Sequence, residues 1–297
     1  PISRLIREWI QAGLIGAVKE VHIYTDRPLG YWPQAVPRPI AEGAKMPPMP
    51  APGSQWSQGT INNILANGMS ANVVKPDALN WDLYLGPVPE IPYHPIYHPF
   101  TWRGWLDFGG GALGDMGAHL VDGPFYALGL DYPTTVEGSS TPFGGPRTNP
   151  ASFPMATNVQ WEFAATPTRP AFKMYWYDGG KKPGVPSEIF NRDKMFKGAI
   201  FKGDKGFLLA DYNYRVLMPT AGDMTQYASP KEEQLIPRSP GHHEEWLIAC
   251  KTGKPTLCNF DYSGAMIEHN LLALVAYRAG KKLDWDAKAL KATNCGE

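Results

Sequence analysis

What the sequence has little of narrows the field first. Only three cysteines occur, Cys250, Cys258 and Cys295, too few and too clustered for a disulfide framework or a four-ligand zinc site. Charged residues make up 19% of the 297 positions, and 28 lysines and arginines balance 28 aspartates and glutamates. A formal net charge of zero removes the electrostatic footprint of a nucleic-acid binder or of a protein held on an anionic membrane. No run approaches the roughly 18 apolar residues of a membrane span. There is no internal repeat, no Gly-x-Ser-x-Gly, and no cysteine with convincing nucleophile surroundings. No initiator Met, capping signal or targeting segment precedes the first helical stripe, and the tail from Ala292 to Glu297 stops without a closing element. The chain therefore reads as a fragment of a longer protein.

What is present points to a globular enzyme. Hydrophobic residues reach 43%, enough for a core. Ten tryptophans, with Gly 31 and Pro 30 filling about a fifth of the chain, suit a loop-rich enzyme or a sugar-binding surface. Ile2, Leu5, Ile6, Trp9 and Ile10 form a helical stripe ending near Gly13 and Gly16. Residues 18–25 read as a strand with Val21 and Ile23 on one face. A proline-rich stretch, 28–53, follows, then a short amphipathic helix over 58–71 and a strand or turn over 81–86. After an aromatic loop (87–100), residues 113–128 read as one helix. From 134 to about 220 the period becomes two: Val159/Trp161/Phe163 and Phe172/Met174/Trp176 alternate with polar positions, and Gly203-Asp-Lys-Gly206 suits a hairpin turn within 199–209. Helices over 241–251 and 262–279 close the chain. The second carries Met266, Ile267, Leu271, Leu274 and Val275 as its apolar stripe and stops at Gly280. The expected class is α+β, an open, predominantly antiparallel sheet with helices packed on one face.

Three constellations could carry chemistry. Asp115, His119 and Asp122 stand at i, i+4 and i+7, so a single helix would project all three from one face. A carboxylate beside an imidazole fixes its tautomer, the arrangement of a general acid/base; the plainer alternative is a helix-start Asp and a surface or core His. Trp102-Arg103-Gly-Trp105-Leu-Asp107 offers a guanidinium, two flat apolar faces and a carboxylate, which polyhydroxylated rings need, or else an aromatic core with a surface Arg–Asp pair. Tyr175-Trp-Tyr177-Asp178-Gly-Gly180 makes the same offer from a strand end, or is a plain Asp-Gly turn. Gly109-Gly-Gly-Ala-Leu-Gly114 matches G-x-G-x-x-G, but no aliphatic strand precedes it and no acidic residue follows at a second strand end, so it is not read as a nucleotide loop. His94 and His98 lack a nearby third ligand for a metal. His242 and His243 open a helix, and His269 reads as structural.

With these residues in view, the sequence resembles the Gfo/Idh/MocA oxidoreductases, sugar and polyol dehydrogenases named for glucose–fructose oxidoreductase and inositol dehydrogenase. The resemblance runs through Arg7–Gly16, Val18–Arg27, Trp81-Asp-Leu-Tyr-Leu-Gly-Pro87, Tyr97-His-Pro-Phe100, Trp102–Asp122, Tyr177-Asp-Gly-Gly180 and His243–Phe260. It covers nearly the whole chain, is closest to a large bacterial branch, and is most specific at Gly114-Asp-Met-Gly-Ala-His119. It implies a dihydrodipicolinate-reductase-like C-terminal domain occupying 1–297, with 1–16 as the helix following an N-terminal Rossmann domain that this sequence does not contain. NAD or NADP would be bound mainly by that domain. The family's Glu-Lys-Pro motif is likewise absent from this sequence.

By motif, His119 resembles the family's acid/base histidine and Asp115 its substrate-orienting acid. Arg103, Trp105, Asp107, Tyr177, Asp178, His98 and Asp122 are the implied substrate-binding residues. Arg27, Trp32 and Gln34, on the loop after the first strand, are the implied cofactor contacts. No metal is implied. The partners implied are a sugar or polyol, the Rossmann domain, and a second copy in a homodimer or homotetramer through the sheet, with no nucleic acid and no membrane. An NAD-dependent glycoside hydrolase of the same superfamily, and a non-catalytic carbohydrate-binding or dimerisation domain, remain open as alternatives.

Overall fold

β1 (Val18–Thr25) is buried from Val21 to Thr25, with Val21 and Ile23 in the core shared with the helices and His22 on the opposite side of the strand. Around that strand a computed structural model builds a nine-stranded sheet; it describes residues 2–29, 31–32, 34–35, 38, 74–141, 151–186, 191, 194–211, 213–219, 236 and 239–296. The further strands are β2 (Thr135–Ser140), β3 (Thr157–Phe163), β4 (Phe172–Tyr177), β5 (Lys197–Gly203), β6 (Gly206–Ala210), β7 (Arg215–Pro219), β8 (Leu283–Asp286) and β9 (Lys291–Ala292). Their order is β7-β6-β5-β1-β4-β3-β2-β8-β9. Only β1 and β4 run parallel, with Ile23 beside Trp176; every other pairing is antiparallel. The expected α+β class, with an open and predominantly antiparallel sheet, is the observed one.

The helices are α1 (Ile2–Gln11), α2 (Trp81–Leu85), α3 (Gly111–Leu120), α4 (Asp122–Leu128), α5 (His242–Thr252) and α6 (Phe260–Ala279), with 3-10 turns at Pro95–Tyr97 and Thr101–Gly104. α1, α3, α4 and α6 share one core with a single sheet face, built on Ile6, Met116, Phe125, Leu272, Trp161, Met174, Trp176 and Phe201. Trp161 and Trp176 are fully buried, and burial of side chains this large contributes about 1.5–3 kcal/mol each. The opposite face carries His22, Tyr175 and Tyr177 and a smaller cluster on Tyr24, Ile200 and Phe207.

Three local expectations change. Residues 81–86 form a short helix rather than a strand or turn, because the Asn80 side chain caps it by accepting from the Leu83 N–H at 3.0 Å. The segment 113–128 is two helices broken at Val121. In α6 the buried face is Met266, His269, Asn270, Leu272, Ala273, Ala276 and Tyr277, while Ile267, Leu271 and Val275 are exposed. The expected helix over 58–71 lies outside the described residues, as does most of 28–53.

Candidate active site

The site candidates gather where the loop after β1, the 3-10 turn Thr101–Gly104 and the start of α3 meet. Two glycines permit the approach. A Cβ on Gly109 would lie 2.7 Å from the Arg103 main chain, and one on Gly117 would lie 2.6 Å from the Asn270 side chain of α6. The run 109–111 therefore draws the chain tight against Arg103. It follows a 3-10 turn rather than a strand and leaves no cradle for a dinucleotide. The described residues do not fit a nucleotide site there.

Arg103 is the hub. Its Nε donates to Asp115 Oδ1 at 2.9 Å and its Nη1 to the Phe100 carbonyl at 3.0 Å. The guanidinium lies over Phe100 (4.4 Å to the ring centroid) and Trp102 (4.6 Å), and stands 6.0 Å from the Trp32 ring. Arg27 reaches the same indole at 6.0 Å and lies over Tyr31 at 3.1 Å. The Arg27 carbonyl accepts from the Gly179 N–H at 2.5 Å, which docks the Asp178-Gly-Gly180 turn beside it. Arg103, Asp115, Arg27 and Trp32, named from distant parts of the chain, thus come together.

His119 lies one helical turn beyond Asp115 on α3 and is exposed. It borders a cleft of about 40 Å³ with Ser3, Leu120, Phe201 and Asp211, room for a few waters rather than a sugar ring.

Other candidates are engaged within the fold. Trp105 has no exposed surface; its indole donates to the Ile96 carbonyl at 3.0 Å and its ring packs edge-on against Tyr97. It has no face to offer a ligand. Asp178 is 2% exposed, and its carboxylate accepts from the Thr157 N–H and hydroxyl and from the Trp176 indole at 2.9 Å. Burial pushes its carboxyl up to about 6 against those hydrogen bonds. It ties β3 to β4 and does not reach a pocket. Trp32 and Gln34 are turned inward, the indole donating to Gln34 Oε1 at 3.0 Å and the Gln34 amide to the Pro154 carbonyl, so neither presents a polar group to a cofactor.

Asp122, at the start of α4, accepts from the Tyr262 hydroxyl at 2.6 Å. Asp107 pairs with Arg38. His98 packs edge-on against Tyr84 at 5.1 Å. The Tyr177 hydroxyl meets His22 Nδ1 at 3.2 Å on the sheet face away from the helices, and burial pushes the phenol up to about 12.

Reasoning from sequence missed Tyr31 and Phe100, whose exposed rings rim the Arg27–Arg103 cluster, and Asn270, which backs α3. It also missed the network on the open sheet face, where His22 stacks on Tyr175 (4.9 Å, 8°) and shares Glu20 with Lys202. The strand alternation that put Val21 and Ile23 inward already placed His22 on that face. Among the described residues, no group of three or more His, Cys, Asp or Glu could hold a metal ion, and no helix is long and apolar enough to cross a membrane.

Residues 60–141, a stretch that includes Arg103, Asp115 and His119, match the model of the oxidoreductase family's C-terminal alpha/beta domain. Solved structures similar to it include an aldose-aldose oxidoreductase from Caulobacter crescentus complexed with glycerol (12% identity, 96% of this chain and 60% of that one, TM-score 0.48). Others are a levoglucosan dehydrogenase in complex with NADH and levoglucosan (14%, 95% and 62%, 0.46) and an NAD-binding protein from Listeria innocua (11%, 95% and 63%, 0.48). The chain spans about 60% of the length of the solved structures it resembles. No curated protein matches it.

Proposed function

We propose that this chain is the substrate-binding portion of an NAD(P)-dependent oxidoreductase acting on a sugar or polyol hydroxyl. The observation that carries the reading is the Arg103–Asp115 pair at 2.9 Å, set among aromatic faces within one helical turn of an exposed histidine on the segment that matches the oxidoreductase family. The coenzyme, when bound, supplies the hydride acceptor or donor, and the described residues leave its cradle to a separate nucleotide-binding domain. Within this chain His119 takes the hydroxyl proton as the carbonyl forms and returns it in the reverse direction. Arg103 fixes the Asp115 carboxylate, which is left with acceptor capacity for a second sugar hydroxyl. Phe100 and Trp102 supply flat apolar surface beside it. The polar sheet face bearing Glu20, His22, Tyr175 and Lys202 is the surface through which a homo-oligomer would pair.

The test is sugar-dependent reduction of NAD+ or NADP+ by the protein carrying its nucleotide-binding domain. His119→Ala is expected to lower kcat by about 10²–10⁴-fold with KM little changed. Turnover that survives His119→Ala intact overturns the reading.

A further inference from the structure

We infer that Arg27 forms a subsite for the carboxylate of an acidic sugar, a uronic or aldonic acid, with Arg103 flanking it across Trp32. The inference rests on the sugar-oxidoreductase reading and narrows its substrate class. Arg27 is built into place: its N–H donates to Thr25 Oγ1 at 3.3 Å, its carbonyl accepts from Gly179, and its guanidinium lies 3.1 Å from the centroid of Tyr31, which is itself 46% exposed. Stacking of this kind holds the guanidinium plane and leaves its edge, a fork of N–H donors, free to meet a carboxylate two oxygens at a time.

No carboxylate among the described residues does so. Among the described residues the Arg27 guanidinium has no ion pair and no hydrogen bond, whereas Arg103 on the other flank of Trp32 is committed to Asp115 and Phe100. Of the two guanidiniums, that of Arg103 alone has a carboxylate partner among the described residues. The Arg27 charge is the surplus, beside exposed aromatic surface from Tyr31 and Phe100. A monoanionic ring matches that surplus; a neutral sugar leaves it unanswered, and a dianionic phosphate exceeds it. The Asp178-Gly-Gly180 turn, fastened to the Arg27 carbonyl, fixes the backbone that carries this side chain.

The experiment is calorimetric titration of the chain with glucuronate, gluconate, glucose and glucose 6-phosphate, repeated for Arg27→Gln and Arg27→Lys. Glucuronate or gluconate is expected to bind at least about tenfold more tightly than glucose, since a charge-assisted fork is roughly twice as strong as a neutral hydrogen bond. Arg27→Gln should erase that preference, and Arg27→Lys should restore part of it. Equal binding of glucose and glucuronate, or a preference untouched by Arg27→Gln, overturns the subsite and leaves the sugar reading standing. Tightest binding of glucose 6-phosphate overturns the assignment to a carboxylate. Failure of all four ligands to bind folded protein removes the sugar reading and the subsite with it.

Discussion

Acid should loosen this domain at one buried histidine. His269 has no exposed surface. Its Nδ1–H donates to the Ala265 carbonyl at 3.0 Å, its ring stacks on Phe163 (5.4 Å, 16°) and stands edge-on to Phe125 (5.3 Å), and its Nε2 has no partner. Desolvation dominates and pushes the imidazole down to about 4 from its ordinary 6.5. The native state therefore prefers the neutral ring, and stability is lost as pH falls from the unfolded-state value through the folded one. At about 1.4 kcal/mol per unit, a gap of this size removes about 3 kcal/mol in full, and about 2 kcal/mol of it between pH 7 and pH 5.

His269→Phe keeps the ring packing and deletes the titrating group. It forfeits one hydrogen bond worth about 1 kcal/mol and relieves an unsatisfied buried nitrogen, so at pH 7 the variant should lie within about 1 kcal/mol of the parent. At pH 5 it should be the more stable of the two. Urea unfolding followed by tryptophan fluorescence at both pH values makes the comparison; Trp161, whose indole donates to the His269 carbonyl at 3.2 Å, reports from the same contact. An unchanged acid loss in the variant would refute the reasoning. The consequence reaches the site, because α6 is the surface on which α3, and with it Asp115 and His119, is seated.

Other expectations follow from single contacts. Gly117→Ala drives a Cβ into the buried Asn270 side chain and should cost about 1–3 kcal/mol; pairing it with Asn270→Ala should recover much of the loss in a double-mutant cycle. Asp178→Ala strips the acceptor from the Thr157 N–H and hydroxyl and from the Trp176 indole, so thermal unfolding should register a destabilisation of about 2–4 kcal/mol. Asp178 also titrates with the opposite sign to His269. Its carboxyl is pushed up to about 6, so the parent loses stability as pH rises from about 4 toward 6, and Asp178→Ala should abolish that slope.

Much of the architecture was legible because it is written in local periodicity. The stripe at Ile2, Leu5, Ile6 and Trp9, the alternation at Val159/Trp161/Phe163 and the turn at 203–206 each depend on residues a few positions apart, and each became the expected element. The failures have long-range causes. Asn80 capping α2 competed with a strand reading of 81–86 that hydrophobicity alone favoured. The exposed aliphatics of α6 looked like its core stripe, but the inward side mixes Met266 and Leu272 with His269, Asn270 and alanines, and Gly117 of α3 packs against Asn270. The expected single helix over 113–128 is divided at Val121, so Asp122 opens the next helix.

By itself the sequence determined the class of fold, the resemblance carried by Trp102–Asp122, and the residues on which an acid/base and an arginine hub could be built. Only the tertiary structure decided which candidates face outward. Trp105, Asp178, Gln34 and Trp32 are as polar or aromatic as any ligand-binding residue. Their partners, however, are the Ile96 carbonyl, the Thr157 N–H and the Pro154 carbonyl, in two cases supplied by segments far along the chain. A buried polar group must find such a partner or lose stability, and no local pattern records where that partner will be. The same three-dimensional matching left the Arg27 guanidinium without one among the described residues, at the rim of the site.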